Sequence, residues 1–139
     1  MLFAIANLML VFTLGTCVFA LVKGGTAERI GAGVILANTL AAMINSLSLH
    51  NQLVDLGIDG ITALILLAVA VRYASFWQGA VMLLYAMQFG LHAFYFVLER
   101  PHDMLHIIVN NLIFFSISVC LAAGTGLAWR RRRRAPVGA

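Results

Sequence analysis

Four stretches of this chain, 2–22, 30–49, 78–98 and 104–129, each run for about twenty residues or more with almost no charge, and no other feature narrows the possible folds as much. A helix rises 1.5 Å per residue, so about 20 apolar residues cross a hydrocarbon core about 30 Å thick. A soluble domain carries about a quarter charged residues, whereas here the share is 10%. An ordinary soluble domain is therefore excluded. A fifth stretch is shorter, because its purely apolar part, 61–71, reaches spanning length only if the helix starts near Leu53 and takes in Asp55 and Asp59.

The placement of basic residues decides how many of these stretches cross. Short cytoplasmic loops are enriched in Lys and Arg. With five spans and a cytoplasmic C-terminus, Lys23, Arg29, Arg72 and Arg130 to Arg134 all lie inside and Arg100 alone lies outside. With four spans, the basic residues at 23 and 29 move outside and the bias weakens. The expected fold is thus an all-α integral membrane protein, a compact bundle of five transmembrane helices at about 2–22, 30–49, 53–72, 78–98 and 104–129. Its N-terminus lies outside and its C-terminus in the cytoplasm, with 1–134 as one domain and 130–139 as a basic tail. No basic segment precedes Leu2, which argues against a cleaved signal peptide.

This layout gathers polar groups at one end. Asp55, Asp59, Glu99 and Asp103 fall at the outer face with His50, His102 and His106, and Pro101 breaks the chain between the last two helices. Acids favour helix starts, which accounts for part of the clustering. His102 and His106 are four apart, a spacing at which two imidazoles share a helix face and suit a divalent metal. The further ligands would have to come from His50, His92, Glu99 or Asp103. A b-type haem needs two histidines at one depth, and His50 and His106 are expected nearer the surface than His92. A hydrated mixed-charge turn is the simpler expectation for 98–106, and no cofactor is expected.

Within the fourth span, Tyr85, Gln88, His92, Tyr95 and Glu99 follow at spacings of three and four, making one polar stripe. Such a stripe avoids lipid, and an ionisable group in a membrane marks a functional site unless it only bonds helices together. Partners are available in Asn38 and Asn45 on the second span and in Asn110 and Asn111 on the fifth. Gly33, Ala37 and Ala41, and likewise Ser116, Cys120 and Gly124, form small-residue ladders that predict close helix contacts, within the chain or between copies.

The run "WRRRRRAP" starts directly after an apolar span, so Arg130, Arg131, Arg132, Arg133 and Arg134 are expected to fix orientation and hold anionic lipid headgroups. Nothing further supports nucleic-acid binding. Tyr73, Phe76 and Trp77 read as an interfacial aromatic belt. Cys17 and Cys120 sit inside apolar runs as small packing residues, and no P-loop, GxSxG or HExxH motif is present.

The segment "RYASFWQGAVMLLYAMQFGLHAFYFVLERP" and the closing "WRRRRR" resemble a group of small five-span proteobacterial inner-membrane proteins of unassigned function. The resemblance covers residues 72–134 and implies the five-span layout and a bacterial inner membrane. Two classes of function are expected. The first is a non-enzymatic accessory protein that associates with itself or with other membrane subunits, as the small size, the ladders and the lack of catalytic motifs suggest. The alternative is a small transporter or channel for protons, metal ions or a small solute, using the polar stripe.

Overall fold

The computed structural model describes residues 2–49, 51–73, 76–101 and 103–134, with side chains from Asn7 onward. Every regular element among them is helical: α1 (Leu2–Lys23), α2 (Thr26–Ile44) continued by a π-helical turn (Asn45–Leu49), α3 (Gln52–Tyr73), α4 (Phe76–Val97) and α5 (Met104–Arg134). Thr26–Leu49, Gln52–Tyr73, Phe76–Val97 and Met104–Arg134 are each long and apolar enough to cross a membrane. The segment that looked short in sequence is therefore a full helix, because it begins at Gln52 and absorbs both aspartates. α1 is 22 residues long, and the part of it with described side chains, Asn7–Lys23, is a shorter apolar helix.

Short connections make sequence neighbours into antiparallel neighbours. Each helix packs on the next, α5 closes back on α1, and α2 touches α5 across the middle. The first and last helices meet through a buried hydroxyl pair, Thr13 with Ser118 at 2.7 Å, and through Phe12 with Phe115. One end of the bundle carries the His92 and His106 pair and the other the run Arg130 to Arg134. The helix α5 continues through the arginine run, where Arg132 donates to the carbonyls of Lys23 and Gly24 that end α1. Helix C-termini leave such carbonyls without partners inside the helix, and a cation there also complements the helix dipole.

The distribution of polarity is the reverse of a soluble protein's. Phe76 is 95% exposed and Leu47 77%, while Asn38, Asp59, Gln78, Gln88 and His106 are buried. An apolar exterior of this extent suits lipid, and backbone groups closed within helices are what the hydrocarbon core requires. Nearer the arginine end the interior is mainly apolar: Ile35, Leu66, Val81, Ile117 and Leu121 are fully buried together with Cys17, with Gln78, Ser118 and Thr125 as buried polar groups.

Trp77 holds the arginine end together and is more than an interfacial aromatic. Its indole N–H donates to Glu28 Oε1 at 3.1 Å, and a Cβ on Gly124 would lie 2.5 Å from its ring, one on Gly31 2.9 Å. Only hydrogen fits at those two positions. Glu28 also accepts the N–H of Gly25 at 2.8 Å, the glutamate half of a capping box at the start of α2.

Candidate functional site

Two helix ends shape the histidine end. At the C-terminus of α4, Arg100 N–H donates to Tyr95 O and Glu99 N–H to Phe96 O, the paired bonds of a Schellman motif. The motif places Glu99 at φ 50°, a left-handed conformation that glycine normally fills. Glu99 is thereby turned out of the helix and exposed, so the polar stripe of α4 ends at Tyr95. Glu99→Gly is expected to stabilise the protein by about 0.5–1 kcal/mol by removing that strain. Thermal unfolding in detergent measures it; an unchanged or lower midpoint would mean that the carboxylate makes a compensating contact.

At the start of α5, Asp103 Oδ1 accepts the backbone N–H of His106 at 2.9 Å, as an N-cap does. The same oxygen accepts the Tyr95 hydroxyl at 2.6 Å. These two donors hold the Asp103 carboxyl below the usual aspartate range, the tyrosine bond contributing most. A depressed carboxylate contributes stability above its unfolded value, and that contribution disappears as pH falls through the depressed one. The link between the ends of α4 and α5 therefore survives mild acid.

Beneath this cap lies the most polar part of the interior. Because α3 begins at Gln52, Asp59 stands seven residues into it, about 10 Å along the axis. There it meets His92 of α4, with His92 Nδ1 2.8 Å from Asp59 Oδ2. Neither atom makes a directed hydrogen bond with any described group, so by distance each answers the other as an ion pair does. Asp59 is 3% exposed, a position at which a carboxylate needs such a partner.

His106 completes the group. Its ring stacks on that of His92 with centroids 5.2 Å apart and 23° between planes, and Tyr95 meets it edge-on at 4.7 Å. The sequence placed His106 nearer the surface than His92; the structure corrects this, since the pairing of α4 with α5 stacks the two rings at one depth. Asp59, His92, His106, Tyr95 and Asp103 thus form a continuous series of titratable and hydroxyl groups from the helix ends to the interior. Rings stacked this closely leave no room for a haem plane between them.

Deeper still, Tyr85 is fully buried, and its hydroxyl accepts from Asn38 Nδ2 at 3.3 Å while Asn38 Oδ1 accepts the Thr62 hydroxyl at 3.0 Å. This joins α2, α3 and α4. Gln88, Asn38, Asn110 and Asn111 line one cavity of about 370 Å³ between α1, α2, α4 and α5.

Asn45 was expected to meet another helix through its amide, and it does so at Asp55 of α3 while also holding the turn between. It donates to Asn51 O and to Asp55 Oδ1, and its oxygen accepts Asn51 N–H. The ladder Gly33, Ala37, Ala41 lines an apolar groove between α2 and α3. Of the second ladder, Gly124 is buried against Trp77, Cys120 is half-buried and Ser116 returns its hydroxyl to Leu112 O. Arg133 lies over the Trp129 ring at 4.2 Å, and Arg130 to Arg134 are exposed.

His50 and His102, two of the proposed metal ligands, lie outside the described residues. Among the described residues no three His, Cys, Asp or Glu side chains converge as a metal site would require. The two residues that sequence reasoning passed over are Asp59 and Glu28. Asp59 carried a signal, since it lies four residues after Asp55 inside an apolar run; Glu28 carried one in its place three residues after Gly25. Comparison with protein families, curated proteins and solved structures found no match.

Proposed function

We propose that this chain is a multi-spanning protein of a bacterial inner membrane, crossing it five times with the histidine end outside, and that it handles protons through the series Asp59, His92, His106, Tyr95 and Asp103. The observation that carries this reading is the contact between Asp59 and His92 inside the bundle. Ionisable groups are costly in a membrane interior and are commonly kept there for ion or proton movement. Imidazole is a side chain that can both take up and give off a proton, and a carboxylate beside it is a proton acceptor within reach. Asp59 from α3 and His106 from α5 both meet His92, Tyr95 meets His106, and Asp103 bonds Tyr95.

This favours the small transporter over a protein that serves only as packing. The apolar cluster of Ile35, Leu66, Val81, Ile117 and Leu121 interrupts the titratable series before the arginine end, so transport on this reading proceeds by alternating access rather than through an open pore. The five-span orientation draws support from the eight-to-one charge split. Single cysteines replacing Gly57 or His102 in a background lacking Cys17 and Cys120 are expected to react with an impermeant thiol reagent from the periplasm. One replacing Thr26 is not, and its labelling from outside would discard the orientation.

The proton reading is tested in proteoliposomes carrying a pH-sensitive dye, with nitrogen NMR of the histidines in nanodiscs. The wild type is expected to dissipate a pH gradient faster than empty vesicles and to show coupled titration of His92 and His106. His92→Gln, which keeps hydrogen bonding without a titrating group, is expected to fold and to lose the flux. Gradient decay no faster than in empty vesicles, together with histidines whose titration ignores Asp59→Asn, would overturn it.

A second reading, self-association as an accessory subunit, is favoured by the groove that Gly33, Ala37 and Ala41 line between α2 and α3. A second copy of the chain fits it chemically, because small residues let helix backbones approach. Cysteine at Ala37 in the same background is expected to form a disulfide dimer in membranes under that reading.

A further inference from the structure

At the arginine end a cavity of about 550 Å³ opens between the start of α2, the end of α3, the start of α4 and the last turns of α5. Its volume falls within the range of about 300–1,000 Å³ common to small-molecule sites. Thr26, Glu28, Tyr73, Trp77, Leu127 and Arg131 border it, so its lining carries one acid and one base. The two do not neutralise each other, because the ion pair found among the described residues is that of Asp59 with His92.

Glu28 is 8% exposed, and its oxygens accept only neutral N–H groups in the described structure, Oε1 from Trp77 and Oε2 from Gly25. Neutral donors leave the charge of a buried carboxylate uncompensated, and such a group calls for a cation. Tyr73 and Trp77 bring two aromatic rings to the same cavity, and ring faces attract ammonium groups. Arg131 makes the opposite demand. It is exposed and has no acidic partner among the described residues, and a planar guanidinium suits a phosphate.

These two demands decide the charge of the ligand. A simple anion would meet Arg131 but be repelled by Glu28; a simple cation would be repelled by Arg131 and its neighbours in the arginine run. A molecule carrying both an ammonium and a phosphate answers each group with its opposite. The rim of the cavity is apolar, since Leu127 is 56% exposed and Phe76 95%. A soluble zwitterion has no use for that rim, whereas acyl chains would lie along it.

We propose that this cavity binds the headgroup of an aminophospholipid, its phosphate on Arg131 and Thr26, its ammonium beside Glu28, Tyr73 and Trp77, and its acyl chains running past Leu127 and Phe76. The indole is held ready by its bond to Glu28 and by its fit against Gly31 and Gly124, so little order is lost on binding. The site is independent of proton handling at the other end of the bundle.

The test follows the fluorescence of Trp77 in the full chain carrying Trp129→Phe, which removes the second of the two tryptophans. The protein is held in uncharged dodecyl maltoside micelles and titrated with brominated phosphatidylethanolamine or brominated phosphatidylglycerol, since bromine quenches an indole that it touches. The amine lipid is expected to quench at a concentration about ten-fold lower than the glycerol lipid, the affinity that one hydrogen bond to a charged group contributes. Arg131→Gln is expected to weaken the amine lipid about ten-fold, whereas Arg130→Gln, outside the lining, leaves it unchanged. Tyr73→Leu is expected to weaken it about three-fold. Glu28→Gln keeps the size of the side chain without its charge and is expected to abolish the preference between the two lipids.

Equal quenching by both lipids, stronger quenching by the glycerol lipid, or equal losses from Arg130→Gln and Arg131→Gln would overturn the proposal, because each is what a basic surface attracting any anionic lipid produces. So would a folded Glu28→Gln variant that keeps the preference. Should that variant fail to fold, Tyr73→Leu and Arg131→Gln decide, since both positions are exposed. Free phosphoethanolamine at matched concentration is expected to leave the quenching unchanged; displacement by it would assign the cavity to a soluble aminoalkyl phosphate and overturn the lipid.

Discussion

Replacing His92 by leucine is expected to destabilise the bundle by about 3–5 kcal/mol, as is usual when one member of a buried charge pair is removed and the other is left behind. The carboxylate left behind is Asp59, 3% exposed and with no other described group in a directed hydrogen bond to Oδ2. The loss is not the value of the ion pair itself. Removing both members, as in Asp59→Leu with His92→Leu, should recover most of the stability, because an apolar pair incurs no desolvation cost. Unfolding of the three variants in mixed micelles distinguishes the cases. Equal midpoints for the single and double variants would mean that the two side chains are not coupled and that another group neutralises Asp59.

Gly124→Ala is expected to cost about 1–3 kcal/mol, the range for forcing an extra methyl group into a packed interior. The added carbon would stand 2.5–2.6 Å from three atoms of the Trp77 ring. The indole is not free to swing aside, since its N–H is bonded to Glu28 and its other edge lies against Gly31. A smaller ring relieves the clash, so Gly124→Ala combined with Trp77→Phe should be more stable than the sum of the two single changes predicts. Strict additivity in thermal unfolding would place the steric conflict elsewhere.

The reading from sequence was strongest where one helix carries the whole signal. Tyr85, Gln88, His92 and Tyr95 share a face because their spacing follows the helical repeat, and that face does point inward. It was weakest where depth depends on how two helices pair. Asp59 looked like an acid at a membrane surface, and what sequence did not show is that α4 brings His92 against it. His106 was misplaced in depth although the start of its helix was read at 104, because its stacking on His92 joins two helices. Glu99 fits the spacing of the stripe but not its geometry, because α4 has already ended in a left-handed turn. Trp77 followed a compositional rule for aromatic residues near membrane surfaces. Its true role depends on two glycines, 46 residues before it and 47 after, whose convergence no local pattern reveals.

The closure of α5 against α1 bears on how the chain reaches its final form in the membrane. Helices that enter a bilayer in order of synthesis can pair with their predecessors as they arrive, but α1 must wait for its last neighbour until more than a hundred residues have followed. During that interval Thr13 has no Ser118 to meet, Phe12 has no Phe115, and the end of α1 lacks the guanidinium of Arg132. His106 reaches His92 only on α5, so the titratable series comes into existence only when the last helix is in place.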